Sequence, residues 1–238
     1  GQYQRAIEDY DEAIRLNPED ADAYYNRGNA YAEPGQYQRA IEDYDEAIRL
    51  DPVLAIAYGN RCGAYVGMGQ PQKAIGDCDE AIRLDPENGT ALHNRGRALH
   101  TMGQDERAVE DYGEAIRISP QDSTAYSDRG MAYSRLEQLE MALQDFDESL
   151  RLDPQSISSY INRGATYIRL GEHEKAVQDL DEAIELDPEL GISYGNRAIA
   201  HTHLGNDREA QLDLDRAVEL GIDRGALEQF IEDAKKQP

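Results

Sequence analysis

Tryptophan is absent from this chain of 238 residues, phenylalanine occurs twice and cysteine twice. Two cysteines are too few for a disulfide-built scaffold, and they fit a reducing compartment, so a cytoplasmic location is expected. Cations are scarce: 24 Lys and Arg stand against 48 Asp and Glu, for a net charge of −24. Nucleic-acid binding needs a basic footprint, which this chain lacks, and an anionic lipid surface would repel it. Apolar runs extend only a few residues, so no membrane-crossing helix is expected. No P-loop, glycine-rich nucleotide motif, nucleophile elbow or HExxH occurs, so neither enzyme chemistry nor a cofactor is expected. His93 and His100 are seven residues apart and His201 and His203 two, with no cysteine or carboxylate at ligand spacing beside them, so no metal site is expected. The acidic run at 8–12 falls in a helical pattern without the glycine turn of a calcium loop.

What the chain does have is a period. Pro18, Pro52, Pro86, Pro120, Pro154 and Pro188 stand 34 residues apart, and a repeat of this length marks a solenoid of stacked supersecondary units. With each proline at position 32, full units run 21–54, 55–88, 89–122, 123–156, 157–190 and 191–224. Residues 1–20 form half a unit, and 225–238 a closing helix. The block GQYQRAIEDYDEAIRL stands at 1–16 and again, unchanged, at 35–50. Tyr24, Gly28 and Tyr31 follow one helical stripe, and Ala40, Ile41, Tyr44, Ala47 and Ile48 a second. Glycine at position 15 (Gly35, Gly69, Gly103, Gly171, Gly205) separates them, and Asp-Pro ends the second helix. Each unit is therefore expected to be a hairpin of helix A followed by helix B. In the tail, Asp223 reads as an N-cap, and Ala226, Leu227, Phe230, Ile231 and Ala234 form an apolar stripe.

The chain resembles, over 1–224, the tetratricopeptide repeat (TPR) family, whose 34-residue pattern places an aromatic at position 4, Gly or Ala at 8, Tyr at 11, Ala at 20, an aromatic at 24, Ala at 27 and Pro at 32. The resemblance implies an all-α, right-handed superhelical solenoid of stacked antiparallel hairpins, with a solvating C-terminal helix. It also implies a protein-interaction scaffold that holds a partner peptide on the concave face. Alternatives are self-association through the uncapped N-terminal helix, or a regulatory segment of a larger protein.

Two positions depart from the family pattern. Position 4 is Tyr or Leu instead of Trp, and position 7 is always arginine: Arg27, Arg61, Arg95, Arg129, Arg163 and Arg197. Asp at position 23 is equally regular, which predicts a ladder of pairs such as Arg27 with Asp9 or Asp43. Cys62 and Cys78 occupy positions 8 and 24 of one hairpin, small grown to medium against large shrunk to medium. The two are expected to be neighbours, as buried thiols in preference to a disulfide.

In the family, helix A lines the concave groove at positions 2, 5, 6, 9, 12 and 13. Here those positions hold few acids (Asp22, Glu33, Asp128), while helix B collects them, so a near-neutral groove and an acidic outer face are expected. Position 6 supplies Asn26, Asn60, Asn94, Asn162 and Asn196, whose amides suit a peptide backbone. Tyr25, Asn29 and His93, with Arg97, Arg135 and Arg169, complete the candidate groove. The family's carboxylate clamp for chaperone tails is not expected: of Tyr25, Asn29, Asn60, Thr90 and Asn94, only Asn29 and Asn60 match it.

Overall fold

The computed structural model describes residues 2–234. It falls into two compact units, 1–121 and 122–238. The first holds α1 (Gln2–Leu16), α2 (Ala21–Ala32), α3 (Tyr37–Leu50), α4 (Ala55–Gly67), α5 (Pro71–Leu84), α6 (Gly89–Thr101) and α7 (Asp105–Ile118). The second holds α8 (Ser123–Arg135), α9 (Leu139–Leu152), α10 (Ile157–Arg169), α11 (His173–Leu186), α12 (Gly191–His203), α13 (Asp207–Glu219) and α14 (Arg224–Ala234). Among the described residues there is no strand, and no helix is long and apolar enough to cross a membrane.

Within each unit, A and B helices pair (α2 with α3, α10 with α11), and each pair stacks on the next. Asp20, Asn88, Asp122 and Ser156 cap the A helices by accepting backbone N–H bonds. The glycines at position 15 have φ between 67° and 80°, the left-handed region in which a side chain is costly. In the repeat without that glycine, Glu137 takes the same conformation at φ 59°.

The small positions let the helices approach. Ala40, Ala74, Ala108, Ala142 and Ala176 are fully buried. A Cβ added at Gly28, Gly96 or Gly130 would lie 2.7 Å from the ring of Tyr44, Tyr112 or Phe146, respectively. A small residue at position 8 thus makes room for a large one at position 24: glycine faces a ring in three hairpins and Leu180 in a fourth, at Gly164, and in α12 and α13 Ala198 accompanies Leu214. Cys62 and Cys78 obey the same rule and are fully buried, as expected. They form a disulfide with a Cα–Cα distance of 5.5 Å, which corrects the expectation of thiols. Their Cβ atoms converge in the small gap between the paired helices, within bonding reach.

The arginine ladder is present and doubly bonded. Each position-7 arginine donates from Nε and Nη2 to the position-23 aspartate of its own hairpin at 2.6–2.8 Å, as in Arg27–Asp43 and Arg163–Asp179. In five of them Nη1 reaches a second acid at 2.5–2.8 Å: Asp11, Asp45, Asp79, Asp147 and Asp181 for Arg27, Arg61, Arg95, Arg163 and Arg197. The second partner is position 25 of the preceding B helix, so Asp11 takes the place expected of Asp9. The position-4 tyrosines join the ladder: in five repeats the Arg carbon lies 5.5–5.8 Å from the ring of a tyrosine three residues earlier, a cation–π contact.

The closing helix α14 is capped by Asp223, whose side chain accepts the Ala226 N–H at 2.7 Å. Its stripe divides. Leu227 and Ile231 are buried against Ala198 and Leu214, whereas Ala226 and Phe230 are exposed. Residues 235–238 of the expected closing helix, and the Ala234 side chain, lie outside the described residues.

Candidate functional site

In the first unit, α2, α4 and α6 lie side by side and present their position-6, -9 and -13 residues to one depression. The cavity is about 400 Å³ and is lined by Asn29, Asn60, Asn94 and Arg97, with Tyr37, Tyr44 and Glu33. The glycines of α4 create the space. Gly63 sits below the Asn94 amide, where a Cβ would come within 2.8 Å of Nδ2, and Gly67 admits the Tyr37 ring, which a Cβ would meet at 2.7 Å.

The amides are already wired. Asn60 Nδ2 donates to Asn29 Oδ1 at 2.8 Å and to the Tyr25 hydroxyl at 3.3 Å. Tyr44 donates its hydroxyl to the same Asn29 oxygen at 2.7 Å. Burial holds the Tyr44 phenol well above its ordinary pKa, so it stays a donor. Asn94 is buried and donates to the Gly59 carbonyl at 3.3 Å, tying α6 to α4. Asn60 and Asn94 therefore bridge helices and are less available than the sequence implied. Among the described residues, the Asn60 carbonyl oxygen and the Asn29 Nδ2 donors have no hydrogen bond.

Other expected residues sit apart from this depression. His93 packs edge-on to Tyr112 at 5.6 Å between ring centroids. Asn26 makes no side-chain hydrogen bond among the described residues. Within the second unit, Arg169 donates to the Ser134 carbonyl and hydroxyl at 2.8 and 2.7 Å and pairs with Glu137. Arg135 is exposed. Asn162 and Asn196 make no side-chain hydrogen bond among the described residues. Asn196 borders a second, apolar cavity of about 260 Å³ with Ile192, Ile199, Ala226 and Phe230. Tyr44 escaped the sequence reading because its position counts as core, and Tyr37 because its position belongs to neither the stripes nor the groove set. The signal was the hydroxyl that Tyr44 carries where other repeats have Phe146 or Leu180. Among the described residues, no group of three His, Cys, Asp or Glu is placed to hold a metal.

A hairpin array with an amide-lined depression defines a class: helical repeat proteins that act as interaction scaffolds. The "TPR repeat" family model matches 1–35 and 96–137, and two "Tetratricopeptide repeat" models match 21–52, 123–156 and 157–190, and 78–110. The chain belongs to the tetratricopeptide repeat family. No curated protein matches it. Among solved structures it is similar to YrrB, described as a TPR protein with an unusual peptide-binding site. Identity is 29% over 77% of this chain and 95% of YrrB, with a TM-score of 0.59. It is also similar in fold to Pseudomonas aeruginosa pilF (20% identity, 90% of this chain and 97% of that one, TM-score 0.77). The hetero-tetramer Cut9–Hcn1 of the APC/C gives 15% identity over 98% of this chain and 46% of that one, with a TM-score of 0.86.

Proposed function

We propose that the chain is a non-catalytic adaptor that holds an extended segment of a partner protein across the depression formed by α2, α4 and α6. The observation that carries this reading is the convergence there of Asn29, Asn60 and Arg97 around a cavity of about 400 Å³. A peptide backbone needs alternating donors and acceptors, which the unused Asn29 Nδ2 and Asn60 Oδ1 supply without reading side chains. Arg97 and Glu33 add one charge of each sign to the lining. The likeness to YrrB, itself described by its peptide-binding site, supports the same class of ligand. Candidate residues of the second unit, Asn162, Asn196, Arg135 and Arg169, extend the proposal as contacts for further partner residues. Nucleic acid and membrane are not proposed as partners.

The test is selection of binders from a random dodecapeptide display library. Enriched peptides should lose at least tenfold in affinity for an Asn29→Ala/Arg97→Ala variant that keeps the wild-type circular dichroism. Enriched peptides that bind both forms equally would refute this placement of the site.

A further inference from the structure

In the second unit, α12 and α14 enclose an apolar cavity of about 260 Å³. Ile192 and Ile199 line it from α12, Leu227 and Phe230 from α14, with Gly195 and Asn196 beside them. The glycine makes the room: it is buried, yet a Cβ there would meet nothing nearer than Leu227 Cδ1 at 3.6 Å. Among the described residues no charged side chain lines the cavity, in a chain of net charge −24. Ile192 is 44% and Phe230 65% exposed, so large apolar side chains face solvent at its rim. Hairpin packing leaves this face open, and no residue of α13 lines it. In a repeat, the B helix covers positions 7 and 8 of its own A helix, as Asp43 and Tyr44 cover Arg27 and Gly28. Counted in the same frame, α14 gives the cavity its positions 2, 3 and 6 instead. The nearby amides are also unspent. In the first unit Asn60 and Asn94 donate to the neighbouring A helix, at Asn29 and the Gly59 carbonyl. Their counterparts on α10 and α12, Asn162 and Asn196, make no side-chain hydrogen bond among the described residues.

We propose that this cavity anchors a phenylalanine side chain of the partner segment, a specificity that rests on the adaptor reading. About 260 Å³ lies below the range of small-molecule sites, about 300–1,000 Å³, and suits a single side chain. The apolar lining selects against a charged or hydroxylated one, which would lose its water without gaining a partner. A ring is preferred to an aliphatic chain for two reasons. Gly28, Gly67, Gly96 and Gly130, on other A helices, each lie against an aromatic ring. Phe230 also offers the incoming ring an aromatic partner. The Asn162 and Asn196 amides supply donors and acceptors for the main chain that carries the ring, which favours a polypeptide over a lipid tail. A second copy of the chain is the poorer occupant: of its two phenylalanines, Phe146 is fully buried and Phe230 belongs to the cavity itself.

The probe is the neutral peptide acetyl-Gly-Ser-Phe-Ser-Gly-amide, titrated into the full chain with isotope-labelled Ile and Leu methyl groups and followed by NMR. Saturable shifts of the Ile192, Ile199 and Leu227 methyls are expected, with a Kd of roughly 1 mM for so short a ligand. Alanine in place of the phenylalanine should abolish them, and tyrosine or leucine should weaken binding at least threefold. Gly195→Leu, which fills the cavity from within, should weaken binding at least tenfold. Asn196→Ala, which leaves the apolar walls in place, should weaken it at least threefold. If Gly195→Leu loses the wild-type circular dichroism, the peptide series and Asn196→Ala decide. Methyls that stay unmoved, or that move equally for the alanine peptide, overturn the proposal. So does a leucine peptide that binds as tightly as the phenylalanine one, or binding that both chain variants leave unchanged. Concentration-dependent self-association that moves the same methyls without peptide would assign the cavity to a second copy and equally overturn it. The readout is confined to α12 and α14, so a failure here is distinguishable from a failure of the depression formed by α2, α4 and α6.

Discussion

Arg163 offers a direct comparison of two aspartates on one guanidinium. Asp179 takes Nε and Nη2 at 2.8 and 2.6 Å with its side chain 8% exposed, while Asp147 takes Nη1 at 2.6 Å and is 58% exposed. Burial alone would lower the Arg163 pKa, but the bonds to Asp179 more than offset it, so the group is held above its ordinary value and remains a cation. Asp179→Ala leaves that cation 19% exposed with two donors unmet. Removing one partner of a buried pair costs about 3–5 kcal/mol, and because Arg163 keeps Asp147 and reaches water, about 2–3 kcal/mol is expected here. Asp147→Ala should cost about 0–1 kcal/mol, as for exposed pairs. Repeat arrays need not unfold in one step, so the assay is native-state hydrogen exchange of α10 and α11 amides. Protection should fall roughly 30- to 150-fold for Asp179→Ala and less than about sixfold for Asp147→Ala. Molar salt should erase the second effect but not the first. Equal losses from the two substitutions would refute the view that the ladder is held from within each hairpin.

Gly96→Ala should destabilise the first unit by about 1–3 kcal/mol through the Tyr112 ring, as overpacked cores do. Adding Tyr112→Leu should recover most of it, since Ala198 with Leu214 is the same combination; urea denaturation of the three variants checks this. The His173 ring stacks on His203 at 4.2 Å, and its pKa is lowered from 6.5, first by burial and then by His203. The folded chain therefore binds this proton less readily than the unfolded one, and stability present above pH 6.5 should drain away as pH falls below it. A His173→Gln variant should show a shallower loss of melting temperature between about pH 7 and 5.5, and an unchanged slope would count against the assignment. Unfolded, unreduced protein should titrate no free thiol, in keeping with the Cys62–Cys78 bond. Two thiols per chain would refute that bond.

The helices were legible because the period fixes them: proline in the half unit and five full repeats, glycine in five full repeats and the small positions each have one backbone task. The first rung of the ladder was legible for the same reason, as Arg27 and Asp43 stand on facing sides of one hairpin. The second rung was not. Asp9 and Asp11 are two residues apart on a helix, and the sequence alone does not say which of them the next hairpin's arginine meets. That depends on how one hairpin is turned against its neighbour. The groove was half legible for a related reason. Position 6 correctly placed Asn60 and Asn94 on helix A, but their bonds to Asn29 and Gly59 depend on the distance between successive A helices. Glycines at Gly63 and Gly67 set that distance by removing side chains where the helices would otherwise be held apart. Position alone also cannot separate an amide that waits for a ligand from one that braces the wall. In this chain the two roles meet in one cluster: Tyr44 and Asn60 both spend their donors on the Asn29 oxygen. That fixes the Asn29 amide plane and aims its remaining N–H groups away from those bonds. The bracing bonds are thus what orients the donors left for a partner, and a substitution that frees Asn29, such as Tyr44→Phe, should weaken peptide binding without touching the peptide.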